Sequence, residues 1–141
     1  MRELKKKEYT NLKPNFNNNK NLLFARRINA MQEVLVKVLN KDKEDISFMN
    51  INKRGGISYT DMTILNTYAM QFSDNIIEEI EIINPEIIVC CGAGIKRVIE
   101  MIYIKCNKKL DRNIVEVPHP SRVISNKKYI NYLIRQLDNL K

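Results

Sequence analysis

The sequence predicts an α/β fold with a parallel sheet, and three observations support this prediction. In several segments, apolar residues recur at three- and four-residue steps, which is the period of an amphipathic helix. Between these segments stand short apolar runs such as "EIIVCCG" and "NIVEVPHP", each closed by glycine or proline as a buried strand often is. Because helix and strand patterns alternate, we expect parallel strands joined by right-handed crossovers.

The first part of the chain predicts a basic, Asn-rich arm over residues 1–22 and then a single α/β domain over residues 23–141. The run "NFNNNKN" favours turns over a helix interior. "NLLFARRINAMQEVLVKVLN" has the apolar stripe of an amphipathic helix. "DISFMNIN" predicts a short strand that ends near Asn50, and the paired glycines of "KRGG" predict a loop.

The second part predicts helices and strands in turn. "SYTDMTILNTYAMQFSDNIIEEIEIINPE" is helical in pattern, with a second helix starting at Ser73 or Asp74, either of which can cap it, and an end at Asn84–Pro85. "EIIVCCG" predicts a buried strand and "AGIKRVIEMIYIK" a helix. "NIVEVPHP" predicts a strand stopped by Pro118, and "NKKYINYLIRQLDNLK" predicts the closing helix.

The net charge of +8 is unevenly distributed. Residues 1–54 carry a net +7, residues 55–100 a net −5 and residues 101–141 a net +6. Two basic segments that flank an acidic one can form a basic face, and such a face attracts polyanions, most often nucleic acid. A Lys-rich composition that only keeps the protein in solution explains the same numbers, so charge alone leaves both interpretations open.

Composition excludes several other classes. No stretch of about 18 apolar residues is present to span a membrane, and the basic N-terminus lacks the apolar region of a signal peptide, so we expect a cytosolic protein. Cys90, Cys91 and Cys106 lack the spacing of a zinc or iron–sulfur site and are expected to be small core residues. No metal or cofactor is expected.

The chemically suggestive residues follow the predicted strands, and parallel strands end at one edge of a sheet, where α/β proteins place their sites. Asn50 can read a nucleobase edge, or can tie down its own turn. Lys53 and Arg54 precede two glycines and form either a phosphate contact or an ordinary basic loop. Gly92 opens a strand-to-helix turn whose amides can hold a phosphate or a base carbonyl, although a tight turn needs the same residue.

His119 is the single histidine of the chain and lies between two prolines, which fix its backbone. A hydroxyl at Ser121 and a guanidinium at Arg122 follow it, and both are phosphate-binding groups. A rigidly held neutral imidazole can donate a hydrogen bond to a developing oxyanion. A lone histidine more often has a structural role, so the residue types by themselves do not settle the function.

Three segments together resemble the uracil-DNA glycosylase superfamily over roughly residues 45–140: "VPHPSRVIS", which is similar to the family's late His-Pro-Ser motif, "NPEIIVCCGAGIKRVI", and "ISFMNINKRGG". The resemblance implies a three-layer sandwich with a short, mostly parallel sheet. Nothing before Asn50 resembles the family's first, Gly-rich motif, which positions the attacking water. The fold is therefore expected to be reduced on its N-terminal side, where the arm or a second copy of the chain can complete the sheet.

The resemblance also implies roles for individual residues. Asn50 and Gly92 would bind a flipped uracil-like base, and His119 would bind the base carbonyl and stabilise the departing anion. Ser121 would contact a backbone phosphate, and Arg122 with Val123 would press into the duplex. The cations expected at phosphates are Lys53, Arg54, Arg122 and Lys127.

Two functional hypotheses follow from this resemblance, and a third stands beside it. The favoured one is a catalytically impaired or inactive relative that binds nucleic acid, DNA rather than RNA, or a nucleoprotein complex, as an inhibitor or modulator. The alternative is an active glycosylase that hydrolyses the N-glycosidic bond of uracil or a related base. The third is an α/β domain that binds a small phosphorylated ligand at the same edge of the sheet.

Overall fold

The computed structural model of the chain describes residues 22–51 and 61–140. The predicted arm up to residue 21, together with Lys53 and Arg54, lies outside these residues. The described part forms five α-helices, one short 3-10 turn and two strands. In chain order they are α1 (Leu22–Leu39), the 3-10 turn (Lys43–Asp45), α2 (Met62–Gln71), α3 (Ser73–Ile83), β1 (Ile87–Cys91), α4 (Ile95–Lys105), β2 (Asn113–Val117) and α5 (Asn126–Asp138).

The two strands form a parallel pair, as the sequence predicted. The register runs from Ile87 opposite Asn113 to Cys91 opposite Val117, so both strands end at the same edge of the sheet. The N–H of Gly92 extends the pairing by one bond, donating to the carbonyl of Val117 at 2.8 Å. The turn after β1 and the loop after β2 therefore leave the sheet side by side.

Helices cover both faces of this pair because the strand residues alternate between the faces. On one face, Ile88, Cys90 and Ile114 pack with α2, α3 and α4. On the other face, Ile87, Val89, Cys91 and Val117 pack with α1 and α5. The described residues thus form two hydrophobic clusters separated by the sheet, which confirms the predicted mixed α/β class.

The strand predicted in "DISFMNIN" is not formed in the described residues 46–51, and this prediction was wrong there. Ile46 and Phe48 pack into the cluster with α1 and α5, whereas Met49 and Ile51 pack into the other. The side chains thus alternate between two apolar environments, as they do in a strand. A strand also needs a paired neighbour, and the apolar pattern that led to the prediction does not test for one.

The helix boundaries around α3 were predicted in part. A helix does begin at Ser73, but the residue at its N-cap position is Phe72, whose side chain makes no capping hydrogen bond. Neither Ser73 nor Asp74 therefore has the predicted capping role. The hydroxyl of Ser73 instead lies 3.3 Å from Nζ of Lys105, on α4. At the other end, Asn84 takes the left-handed conformation, with φ 51°, and ends the helix as predicted.

Arg112 holds this helix end against the start of the sheet. It donates to Oδ1 of Asn84 at 2.8 Å, to the carbonyl of Pro85 at 3.1 Å and to Oε2 of Glu81 at 3.0 Å. Burial raises the pKa of Glu81. The hydrogen bonds from Arg112 and Tyr103 lower it by more than burial raises it, so the pKa of Glu81 lies below its ordinary value. The turn between α3 and β1 is therefore fixed by the side chain of the residue that precedes β2.

Cys90, Cys91 and Cys106 are free thiols. Burial raises the pKa of Cys90 to about 12 and that of Cys91 to about 11, so both stay protonated and unreactive near neutral pH. In the described residues, no helix combines the length and the apolar character that crossing a membrane requires.

Candidate functional site

The loop between β2 and α5, residues 118–125, carries three of the predicted site residues, His119, Ser121 and Arg122, and is called the site loop below. It begins where Pro118 interrupts the strand, because proline has no N–H to donate to a ladder. Two backbone bonds fold it tightly: Arg122 N–H donates to His119 O, and Ile124 N–H donates to Arg122 O, both at 2.9 Å. It ends at Ser125, whose hydroxyl accepts from the N–H of Lys128 and caps α5.

His119 and Ser121 are joined within this loop. The backbone N–H of Ser121 donates to Nδ1 of His119 at 3.2 Å, and the Ser121 hydroxyl lies 2.6 Å from the same nitrogen. A backbone N–H can only donate, so Nδ1 must be the acceptor and the proton of the neutral ring is on Nε2. The imidazole therefore offers an N–H donor on the side away from its own loop.

The surroundings of His119 favour this neutral form. The Phe24 ring from α1 lies with its centroid 6.0 Å from the centroid of the imidazole. His119 is an exposed residue, but the part of its ring that is packed against the protein is desolvated, and this lowers the pKa of His119 below its ordinary value of 6.5. At neutral pH the ring is thus a hydrogen-bond donor without a positive charge.

Because the chain has a single histidine, its titration is directly measurable. We expect the imidazole NMR signals to titrate with a midpoint below 6.5. A depressed pKa means that the unfolded chain binds the proton more tightly, so the free energy of unfolding should decrease as the pH falls below 6.5 towards the folded-state value. A midpoint at or above 6.5 would contradict the burial of this ring.

Arg27, on α1, holds the site loop from inside and was missed by the sequence reasoning. Its side chain is 1% exposed, and its guanidinium donates to the carbonyls of Pro120, Arg122 and Ile124 and to Oδ1 of Asn126. It also lies over the Tyr129 ring, 5.1 Å from its centroid. One signal could have indicated its burial, though not its partners: Arg27 falls three residues after Phe24 and four before Met31, within the apolar stripe of the helix.

The turn at Gly92 lies at the same edge of the sheet. Its N–H is used in the bond to Val117, so its predicted contact with a base cannot use that group in this conformation. The Glu116 carboxylate accepts from the N–H of Lys96 at 3.0 Å and so places a negative charge at the start of α4. The structure therefore supplies an internal anion where the sequence suggested a phosphate.

The other predicted site residues are found in three places. Arg122 is exposed in the site loop, and Lys127 is exposed in the first turn of α5. Asn50 is exposed near the end of the described segment 46–51. Within the described residues, no hydrogen bond joins Asn50 to His119. Lys53 and Arg54 lie outside the described residues, and their predicted phosphate contacts stay predictions.

Comparison with known proteins bears on this arrangement. Residues 13–141 match the family model described as the Uracil DNA glycosylase superfamily. A search of curated proteins and a search of solved structures each found no significant match. The matched region includes β1, the turn at Gly92, β2 and the site loop, which carried the resemblance in the sequence. The chain therefore belongs to the uracil DNA glycosylase superfamily.

Proposed function

We propose that this chain binds DNA through the site loop and holds an extrahelical uracil-like base against His119, with little or no hydrolysis of the N-glycosidic bond. The observation that supports the proposal is the Ser121 N–H on Nδ1, which places the proton of the neutral ring on Nε2, and within the described residues this N–H has no acceptor. A base carbonyl is a suitable acceptor for that donor, and extruding the base from the stack brings it within reach.

The surface around His119 suits a DNA backbone. Arg122, Lys127 and Lys128 are exposed at the junction of the site loop and α5. Two of these cations lie in the first turn of a helix, where the dipole disfavours positive charge and a bound phosphate would offset it. Val123 is 92% exposed and, with Arg122, suits insertion at the position of the flipped base.

Ser121 can take part both in base binding by His119 and in a contact with a backbone phosphate. Its hydroxyl has a single hydrogen, so it can donate to a phosphate only by turning away from Nδ1 of His119. The backbone N–H of Ser121 stays on Nδ1 when that happens, and the imidazole keeps its tautomer. The predicted phosphate contact of Ser121 is thus compatible with base binding by His119.

Three of the described carboxylates are engaged in local structure, which supports a binding role over efficient hydrolysis. Oδ2 of Asp45 accepts from the N–H of Asp42, and Oδ1 of Asp61 accepts from two N–H groups at the start of α2. Glu116 is bound to the start of α4. Each of these carboxylates has a local role, whereas hydrolysis requires one that orients a water molecule.

We further infer that the fold is a reduced form of the superfamily's three-layer sandwich. Helices on both faces of a two-stranded parallel sheet fit a three-layer sandwich that is reduced on its N-terminal side. The arm and a second copy of the chain are the two candidates to extend the sheet. A mass measurement in solution separates them, since only the second gives a dimer.

The proposal is tested by titrating single- and double-stranded oligonucleotides that contain one uracil or, in its place, a stable abasic site that lacks the base carbonyl. Binding should weaken with salt, and Arg122→Ala and Lys127→Ala should each lower the slope of log K against log salt by about 1. His119→Ala should leave the slope unchanged and reduce the preference for uracil about tenfold. Lys109→Ala is the control, because this exposed cation precedes β2, at the opposite edge of the sheet.

The same samples are assayed for free base. Uracil release that His119→Ala abolishes would overturn the non-catalytic part of the proposal and establish an active glycosylase. Competition by mononucleotides but not by oligonucleotides would overturn DNA binding and select the small phosphorylated ligand.

A further inference from the structure

The carbonyl of Pro120 and the N–H of Ser121 belong to the same peptide unit. Arg27 donates to that carbonyl from Nη1 at 3.1 Å, and the N–H donates to Nδ1 of His119 at 3.2 Å. A peptide unit is planar, and in the trans form its C=O and N–H point in opposite directions. A donor fixed on the oxygen therefore fixes the direction in which the hydrogen points.

We propose that Arg27 is a positioning residue that sets the tautomer of His119 through the Pro120–Ser121 peptide. The guanidinium holds the carbonyl, the N–H of the same peptide occupies Nδ1, and the ring proton is confined to Nε2. Hydrogen bonds in such a chain also polarise one another, which strengthens the N–H as a donor. The value of this tautomer for base binding rests on the proposed function, whereas the link to Arg27 does not.

The rest of the Arg27 environment supports a role in shaping the loop. The guanidinium also donates to the carbonyls of Arg122 and Ile124, so it binds every second carbonyl from residue 120 to residue 124. A planar fork of donors suits several fixed acceptors, whereas lysine presents a single point charge. Stability alone does not explain a buried cation, because apolar residues of similar volume often stabilise the folded protein as well or better.

The test is ¹⁵N NMR of the single imidazole in the free protein, for the wild type, Arg27→Gln and Arg27→Lys. In the wild type we expect the neutral ring to be protonated at Nε2. In Arg27→Gln we expect both tautomers to be populated, because the Ser121 N–H is no longer held towards Nδ1. Arg27→Lys should lie between the two.

Arg26→Gln is the matched control. It removes the same charge from the adjacent, exposed position of the same helix and should leave the imidazole spectrum unchanged. An unchanged spectrum in a folded Arg27→Gln protein would overturn the proposal. Loss of folding in both Arg27 variants would also overturn it, since Arg27 would then be a core residue with no separate effect on His119.

This experiment needs no DNA, so its outcome is independent of the proposed function. A wild type that shows the Nε2 tautomer but fails to bind oligonucleotides would overturn the proposed function and leave the role of Arg27 standing. If both hold, Arg27→Gln should reduce the preference for uracil about tenfold, as His119→Ala does, and should leave the salt dependence unchanged.

Discussion

Ile102→Ala is expected to lower the free energy of unfolding by about 2–5 kcal/mol, because it opens a cavity in a packed core. Ile102, on α4, is fully buried in the cluster that also contains residues from α2, α3 and the sheet. Globular domains are stable by only about 5–15 kcal/mol, so this single change removes a large part of the total. Urea denaturation followed by circular dichroism measures the loss.

Ile104→Ala provides the control for this variant. Ile104 lies two residues along the same helix and is 77% exposed. Both substitutions change helix propensity equally, so the difference between the two variants isolates burial. The exposed variant should stay within about 0.5 kcal/mol of the wild type. Equal losses at the two positions would contradict the placement of α4 against the sheet.

Gly92→Ala is expected to destabilise the protein by about 1–3 kcal/mol through backbone strain. Gly92 has φ 132°, a conformation that residues with a Cβ rarely adopt. A Cβ at this position would lie 3.4 Å from a side-chain carbon of Ile95, which is ordinary contact, so the strain comes from the backbone and not from crowding. The residue cannot relax freely, because its N–H is bound to Val117.

Ala93→Gly is the comparison for the Gly92 variant. Ala93 is exposed and its φ is not positive, so the exchange removes one methyl group and adds backbone entropy to the unfolded chain. A cost below about 1 kcal/mol is expected for Ala93→Gly. Thermal unfolding of the two variants gives both values, and a Gly92→Ala protein as stable as the wild type would contradict the positive φ.

Local sequence patterns predicted most elements of the fold because the relevant forces are local. Apolar periodicity located the helices, Pro118 ended β2, and Asn84 ended α3 where a left-handed residue was needed. Two predictions failed for a common reason. The apolar alternation of residues 46–51 could not show whether a neighbouring strand pairs with it. The pattern around Ser73 could not show that the chain turns into α3 at Phe72, which leaves Ser73 inside the helix, where its hydroxyl lies near Lys105.

The candidate site was predictable in part. The residue types and the two prolines pointed to His119, and the shared edge of parallel strands placed Gly92 beside its loop. The tautomer of His119 was not predictable, because it depends on the direction of one N–H in the loop. The part played by Arg27 lay further out of reach, since nothing in a single sequence links a helix near its start to carbonyls near its end.

The bonds of Arg27 to the site loop also bear on the order in which the protein folds. They join residues 93 to 99 positions apart, whereas β1, α4 and β2 follow one another closely along the chain. Closing so large a loop costs chain entropy that only later contacts repay, and contacts between distant residues slow folding. We therefore expect the sheet and α4 to form early. The His119 ring should reach its native, hydrogen-bonded conformation in a late step. Refolding monitored at His119 should consequently lag behind refolding monitored by backbone circular dichroism.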